Sequence, residues 1–272
     1  MTISCQLPEI DATQEIDYSR ISASMTSYAG YTISAAECCG VRYAIRRYRS
    51  INFSASCYWT DGYRENSLMP NDHGLRQCKC GVFFVQKDLV EIDQVQESEL
   101  PSPARVEPSI LAIAIQQASN EKIEAAARLD YWHHLNHHYR NLYRIHRDAE
   151  EQEAREKWET AHPDTRSLWQ IIRKAKRTPE YTTSFDRPIT FPAFTPSWEQ
   201  EENMRRLLQL LLTSSNRTWY AYEIVELNRE LGRFAEASKA LEQTNRDDES
   251  VLHGLLAKLI KEQQAAPVRY RV

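Results

Sequence analysis

Cys38-Cys39-Gly40-Val41-Arg42-Tyr43 and Cys78-Lys79-Cys80-Gly81-Val82-Phe83-Phe84 are one small pattern written twice. In each copy a Cys precedes Gly-Val, and an aromatic residue follows the Gly by three positions. Between the copies lie a strand-like run and a turn. Two Cys-Gly knuckles at hairpin turns, meeting around one metal, are the layout of a zinc ribbon.

The usual knuckle holds two cysteines with two residues between them, so that both thiolates converge while backbone N–H groups stabilise their charge. Here the first copy has adjacent cysteines and the second has a single residue between. Cys39 and Cys80 stand at the second position of each knuckle. The first positions would be Ala36 and Gln77, which cannot ligate. Cys38 and Cys78 could substitute only with altered backbone geometry, and because adjacent cysteines point their side chains apart, Cys38 and Cys39 on one ion are awkward. Three readings compete. Structural zinc is bound by Cys38, Cys39, Cys78 and Cys80, with Cys57 or His73 able to replace a ligand. Alternatively the ribbon has lost its metal and holds by packing Tyr58, Trp59, Phe83 and Phe84. A catalytic thiol is the third reading, with only His73 as a nearby base.

Outward from this stretch, the chain divides into two regimes. All six cysteines and five of the seven glycines lie within the first 81 residues of 272. The N-terminal third is therefore turn-rich and the remainder reads as long helices, which implies two structural units. Residues 1–33 are polar without clear period and read as an N-terminal extension. Residues 34–91 form the zinc-ribbon-like domain. Within it Val41, Tyr43 and Ile45 alternate as in a strand, and Asp61-Gly62 between aromatic residues predicts a hairpin turn. Residues 92–108, with Pro101, Pro103 and Pro108, read as a linker. Central helices follow over 109–178, with Trp158, Leu168, Trp169 and Ile172 as the apolar anchors of a charged segment. A Pro-containing connection spans 179–198.

Over 199–266 the apolar spacing is that of amphipathic helices. Met204, Leu207, Leu208 and Leu211 make one stripe, and Ile224, Leu227 and Leu231 another. Phe234, Ala237 and Leu241 make a third, and Leu252, Leu255, Leu256 and Leu259 a fourth. No such helix buries its face alone, so antiparallel stacking is expected. Gly232 is expected in a left-handed conformation at the turn.

A net charge of -4 leaves no global basic field for nucleic acid. The run Arg42, Arg46, Arg47 and Arg49, interleaved with Tyr43 and Tyr48, is read as a solvated strand face. The most apolar stretch, Leu207 to Leu212, is far too short for a membrane span. No signal peptide is evident at Met1-Thr2-Ile3-Ser4-Cys5, so a cytoplasmic location with reduced thiols is expected. His133 with His137, and His134 with His138, stand at i, i+4, a metal-capable spacing, and His146 follows. The pattern lacks the zincin glutamate, and a polar helix face is the plainer reading. No phosphate-binding glycine loop or nucleophile elbow is present.

Tyr58-Trp59-Thr60-Asp61-Gly62, then Met69-Pro70, then Leu75-Arg76-Gln77-Cys78-Lys79-Cys80-Gly81-Val82-Phe83-Phe84, resembles a group of poorly characterised bacterial proteins. These join an N-terminal zinc ribbon to a C-terminal tetratricopeptide-like helical region. Ala127-Arg128-Leu129-Asp130-Tyr131-Trp132 is similar to that group's helix ending in paired aromatics. Leu231-Gly232-Arg233-Phe234-Ala235-Glu236-Ala237 is similar to the inter-helix turn of a tetratricopeptide repeat. The resemblance covers about half the chain and implies a fold and a binding style, not an activity.

The expected architecture is α+β and mostly α, a small ribbon-like β unit followed by antiparallel helical hairpins. The expected function is that of a non-catalytic adaptor or scaffold that binds another protein. One alternative is an immunity protein that neutralises a cognate bacterial toxin. Another is a metal-dependent hydrolase built on the His133–His146 cluster.

Overall fold

A computed structural model describes residues 27–50, 55, 57–65, 74–164, 166, 169, 179–182, 193–244 and 251–270. It is a mixed α+β protein whose small antiparallel sheets are built mainly from the N-terminal part, with helices following. Two compact units are present. One takes the described residues of Met1–Leu135 and Pro196–Val272, the other those of Asn136–Thr195.

In the first unit, β1 (Ser27–Ala35), β2 (Arg42–Ser50) and β7 (Val90–Val95) form a sheet in the order β2-β1-β7. β3 (Cys57–Trp59) and β4 (Arg64–Glu65) form the hairpin expected from Asp61-Gly62. The other neighbour of β3 is β9 (Arg269–Tyr270), with Tyr58 opposite Tyr270 and Trp59 opposite Arg269. β5 (Leu75–Gln77) pairs with β6 (Phe83–Val85) and β8 (Ala104–Arg105). The first strand thus begins within the stretch read as an irregular extension, and β7 and β8 lie in or run into the stretch read as a linker. Tyr31, Thr32 and Ile33 find cross-strand partners on both sides, an advantage that local polarity does not reveal.

The ribbon-like part and the C-terminal helices belong to one unit, not two. β5 and β6 present Leu75, Phe83 and Val85 to α1 (Leu111–Gln116) and α2 (Glu121–Leu135), where they pack with Leu111, Ala114, Ile123 and Ala127. The same α2 buries Trp132 against α4 (Trp198–Thr213) and α5 (Ala221–Glu230), among Met204, Leu207, Leu208, Leu211, Ile224 and Leu227. A third cluster joins α5 to α6 (Phe234–Glu242) and α7 (Val251–Lys261) through Val225, Ala237, Leu241, Leu256 and Ile260. Helix α2 therefore carries apolar contacts on two sides, and the chain cannot part between ribbon and helices without exposing the first of these clusters. Ser197 caps α4 in a reciprocal capping box with Gln200.

One buried layer escaped the periodicity. Helix α5 is buried on every side from Ile224 to Glu230, its charged residues included. Arg229 and Glu226 pair with both side chains fully buried. Thr60 Oγ1 donates to Glu226 Oε1 and accepts from the Val268 N–H at 2.9 Å and from Arg229 Nη2 at 3.3 Å. Arg229 also donates to the Gln264 carbonyl. Trp132 Nε1 donates to Glu230 at 2.8 Å, and Trp59 Nε1 donates to Glu65 at 2.9 Å. Pairing and hydrogen bonding of this kind are what make buried charge tolerable.

In the second unit, α3 (His137–Ala161) buries Tyr139, Arg140, Tyr143 and Arg147. Tyr139 meets Phe194 edge-on, and Trp158 stacks on His162 and meets Tyr181. Trp158 is thus packed as expected. Trp169 is not an anchor, being 71% exposed. Leu168 and Ile172 lie outside the described residues.

Candidate metal centre

Two reversals of chain direction bring the four thiols together. At the end of β1 the Ala36 N–H donates to the Val41 carbonyl, and the Gly40 N–H returns to Ala36. After β5 the Cys78 N–H donates to Val82, and Gly81 returns to Cys78. Gly40 and Gly81 take φ of +70 and +91, the left-handed region that favours glycine, so each pattern needs its Gly for the turn. One more residue is enclosed in the first turn than in the second. That extra residue accommodates the adjacent pair: Cys38 and Cys39 lie on a turn rather than a strand, and their sulfurs sit 3.8 Å apart instead of diverging.

Cys38, Cys39, Cys78 and Cys80 offer sulfurs that all lie within 4.8 Å of one another, and together they could hold a metal ion. Across the knuckles, Cys38 Sγ is 3.4 Å from Cys80 Sγ, and Cys39 Sγ is 3.3 Å from Cys78 Sγ. A tetrahedral thiolate site with metal–sulfur distances of about 2.3 Å sets its sulfurs about 3.8 Å apart. The observed spacing is close to that and well beyond a disulfide bond of about 2.05 Å. Cys78 is buried, while Cys38, Cys39 and Cys80 are exposed.

Tyr43 supports the centre from β2. Its hydroxyl donates to Cys78 Sγ at 3.5 Å and accepts from the Lys79 N–H at 3.4 Å. The ring packs near Phe84, in a small core with Ala36 and Cys78. These are the aromatic residues that follow each Gly by three positions, so the repeated pattern already held the signal for this support. Burial pushes the Cys78 thiol up, but the Cys80 backbone N–H, the Tyr43 hydroxyl and the neighbouring thiols outweigh it and bring it down to about 6. Cys38 is raised, by burial first and then by the thiols of Cys80, Cys78 and Cys39. Tyr43 is pushed up to about 12, again mainly by burial. Thiolate charge therefore concentrates on Cys78, and an arriving cation would displace the protons that the other sulfurs share with it.

The other candidate ligands and packing residues fall elsewhere. Cys57 is buried in β3, outside the four-thiol cluster. His73 lies outside the described residues. The aromatic set offered for a metal-free core is divided: Trp59 binds Glu65, Tyr58 meets Tyr270, Phe83 joins the helix-facing core and Phe84 the knuckle core. His133 and His134 end α2, whereas His137, His138 and His146 lie on α3 in the other unit, with Asn136 between the helices. His133 Nε2 lies 2.9 Å from the Asp61 carbonyl and its ring stacks on Trp132, which assigns it to packing. Among the described residues, no His joins a group of three or more potential metal ligands.

Compared with protein-family models, curated proteins and solved structures, the chain matches none. No helix among the described residues is long and apolar enough to cross a membrane.

Proposed function

We propose that the chain is a non-catalytic, cytoplasmic protein-binding adaptor in which Cys38, Cys39, Cys78 and Cys80 hold one structural zinc ion. The convergence of four sulfurs within 4.8 Å carries this reading. Four thiolates suit zinc or another soft ion and leave no open position for a substrate, so the metal acts as a cross-link. It ties the β1–β2 turn to the β5–β6 turn, and β5 and β6 are seated on α1 and α2. The tetratricopeptide-like reading of the C-terminal helices is supported by the turn Leu231-Gly232-Arg233-Phe234. There the Gly232 N–H donates to Arg229 and the Arg233 N–H to Asn228, as in a Schellman cap. Ala237 is fully buried beside it, small enough for α5 and α6 to approach closely.

Metal analysis of reduced, freshly purified protein tests the centre. About one zinc per chain is expected, with loss of most of it in Cys80→Ser and none in Cys5→Ser. Chelation is expected to destabilise the ribbon and, through α1 and α2, the helices seated on it. Metal-free purified protein of normal stability would refute the zinc centre. Affinity capture with wild type and Ala237→Leu tests the adaptor role. A specific partner weakened by the variant is expected, and equal capture by both would move the binding surface away from α5–α7.

A further inference from the structure

The basic run on β2 does not stand alone in the fold. Residues 27–50 hold four arginines and one glutamate, an excess of +3 along this stretch, while β7 on the far side of β1 brings Glu91 and Asp93. β1 carries no charge at all. Pairing with β1 places Tyr28 opposite Tyr48 and Tyr31 opposite Arg46, with a bulge in β1 between Tyr28 and Tyr31. The two rings of Tyr28 and Tyr48 lie 5.3 Å apart, and the Arg46 guanidinium sits 5.4 Å from the Tyr28 ring centre. Tyr28 is 54% exposed. Among the described residues, no carboxylate pairs with Arg46 or Arg49. Arg47 points to the opposite face, where it binds Gln94 and the Ala29 carbonyl.

At the bulge the surface is concave. A cavity of about 330 Å³ is lined by Tyr28, Gly30, Tyr31, Arg46, Gln96 and Glu97. That is the lower range for a small-molecule site and enough for a nucleobase. Its chemistry is threefold: aromatic faces for stacking, a guanidinium for an anion, and an amide and a carboxylate for reading a polar edge. Aliphatic or acidic peptide side chains would use only one of these at a time. A nucleotide uses all three.

We propose that this end of the β1–β2 sheet face binds single-stranded nucleic acid. A base stacks on Tyr28 or Tyr48, its amino edge donates to Glu97 and Gln96, and an adjacent phosphate meets Arg46. Flat exposed aromatics beside arginine, on an antiparallel sheet, are the usual platform for unpaired bases. A duplex hides those base faces and is not a ligand of this site. Because Glu97 accepts but cannot donate, bases with an exocyclic amino group are preferred to thymine or uracil. The site is independent of the zinc reading.

Fluorescence anisotropy with labelled oligonucleotides of about ten nucleotides tests the proposal, at about 50 mM salt where phosphate contacts count most. Oligo-dC and oligo-rC are both assayed, against oligo-dT, a duplex and an oligoglutamate. At least one cytosine strand is expected to bind, more tightly than oligo-dT and the duplex. Tyr28→Ala and Arg46→Gln should each weaken binding by about tenfold. Glu97→Gln should narrow the preference for cytosine, and Lys258→Gln on exposed α7 should change nothing. Ultraviolet cross-linking of the wild type should place the label within residues 27–50, a readout that needs no variant to fold. Absence of single-strand binding would overturn the proposal. So would duplex binding of equal strength, cross-links confined to other segments, or oligoglutamate bound with the same dependence on Tyr28 and Arg46.

Discussion

Thr60→Val removes one oxygen from a site where three hydrogen bonds meet and changes almost nothing in side-chain volume. Thr60 is 2% exposed. Its hydroxyl donates to Glu226, accepts from the Val268 N–H at 2.9 Å, and accepts from Arg229 at 3.3 Å. Hydrogen bonds to charged groups are each worth about 1.5–3 kcal/mol and a neutral one about 1 kcal/mol. Glu226 and Arg229 keep each other after the substitution, so those two losses are partial. The Val268 N–H keeps nothing and is left buried. The expected cost is about 3 kcal/mol. It should be visible in urea unfolding followed by tryptophan fluorescence, as a lower midpoint at unchanged slope. Hydrogen exchange should show residues 264–270 losing protection first, since Thr60 makes two backbone contacts with Val268 through its hydroxyl and its own N–H. Thr213→Val, on the exposed end of α4, is the control and should stay within about 0.5 kcal/mol. A cost below about 1 kcal/mol with protection of 264–270 intact would mean that β9 is held by its ladder alone and that the buried layer is incidental.

Three other outcomes are expected. Arg206, working against burial, and then Arg128 hold the Glu124 carboxyl down at about 2; this stability is present above the ordinary Glu range and is lost as pH falls toward 2. Glu124→Gln should therefore cost about 1–3 kcal/mol near neutral pH and flatten the acid limb of a stability–pH curve. Glu230 is raised well above the ordinary value, by burial first and then by Glu226 and Asp61, so its contribution is greatest below the ordinary Glu range and is lost as pH rises. Glu230→Gln, which can still accept from Trp132, should match or exceed wild type in urea unfolding, with its largest advantage at alkaline pH. Gly232 has φ of +71, and Gly232→Val should cost about 1–2 kcal/mol in backbone strain by thermal or urea unfolding.

What the sequence disclosed follows from how local each cause is. The knuckles, the Asp61-Gly62 hairpin and the turn at Gly232 are set by residues close in sequence, and they are where the spacing placed them. The thiol set was legible for the same reason, because a Cys-Gly pattern written twice implies a meeting point. The geometry at Cys38-Cys39 was not, since whether adjacent side chains diverge depends on a turn that the residues do not spell out. The union of ribbon and helices was also hidden. It rests on Leu75, Phe83 and Val85 meeting Ile123 and Ala127, and a short β run does not announce which helix will cover it. The charged interior of α5 is the deepest miss. Glu226, Arg229 and Glu230 fall outside the apolar stripe by period alone, and Thr60, Trp132 and Gln264, brought in from far along the chain, meet them in the interior. Likewise β1 and β9 depend on strands supplied from elsewhere.

The sulfurs of Cys38 and Cys80 are 42 residues apart in the chain, whereas Thr60 and Val268 are 208 apart. During synthesis at about 5–20 residues per second, the second interval takes about 10–40 s and the first about 2–8 s. The knuckles can close on an ion while Trp59, Thr60 and Asp61 still wait for their partners. In the proposed zinc centre, metal capture would then be an early event on the ribosome, and neutralisation of the α5 charges a late one. In the interval, it is the nascent ribbon, with its hairpin edge unpaired, that cellular chaperones would meet.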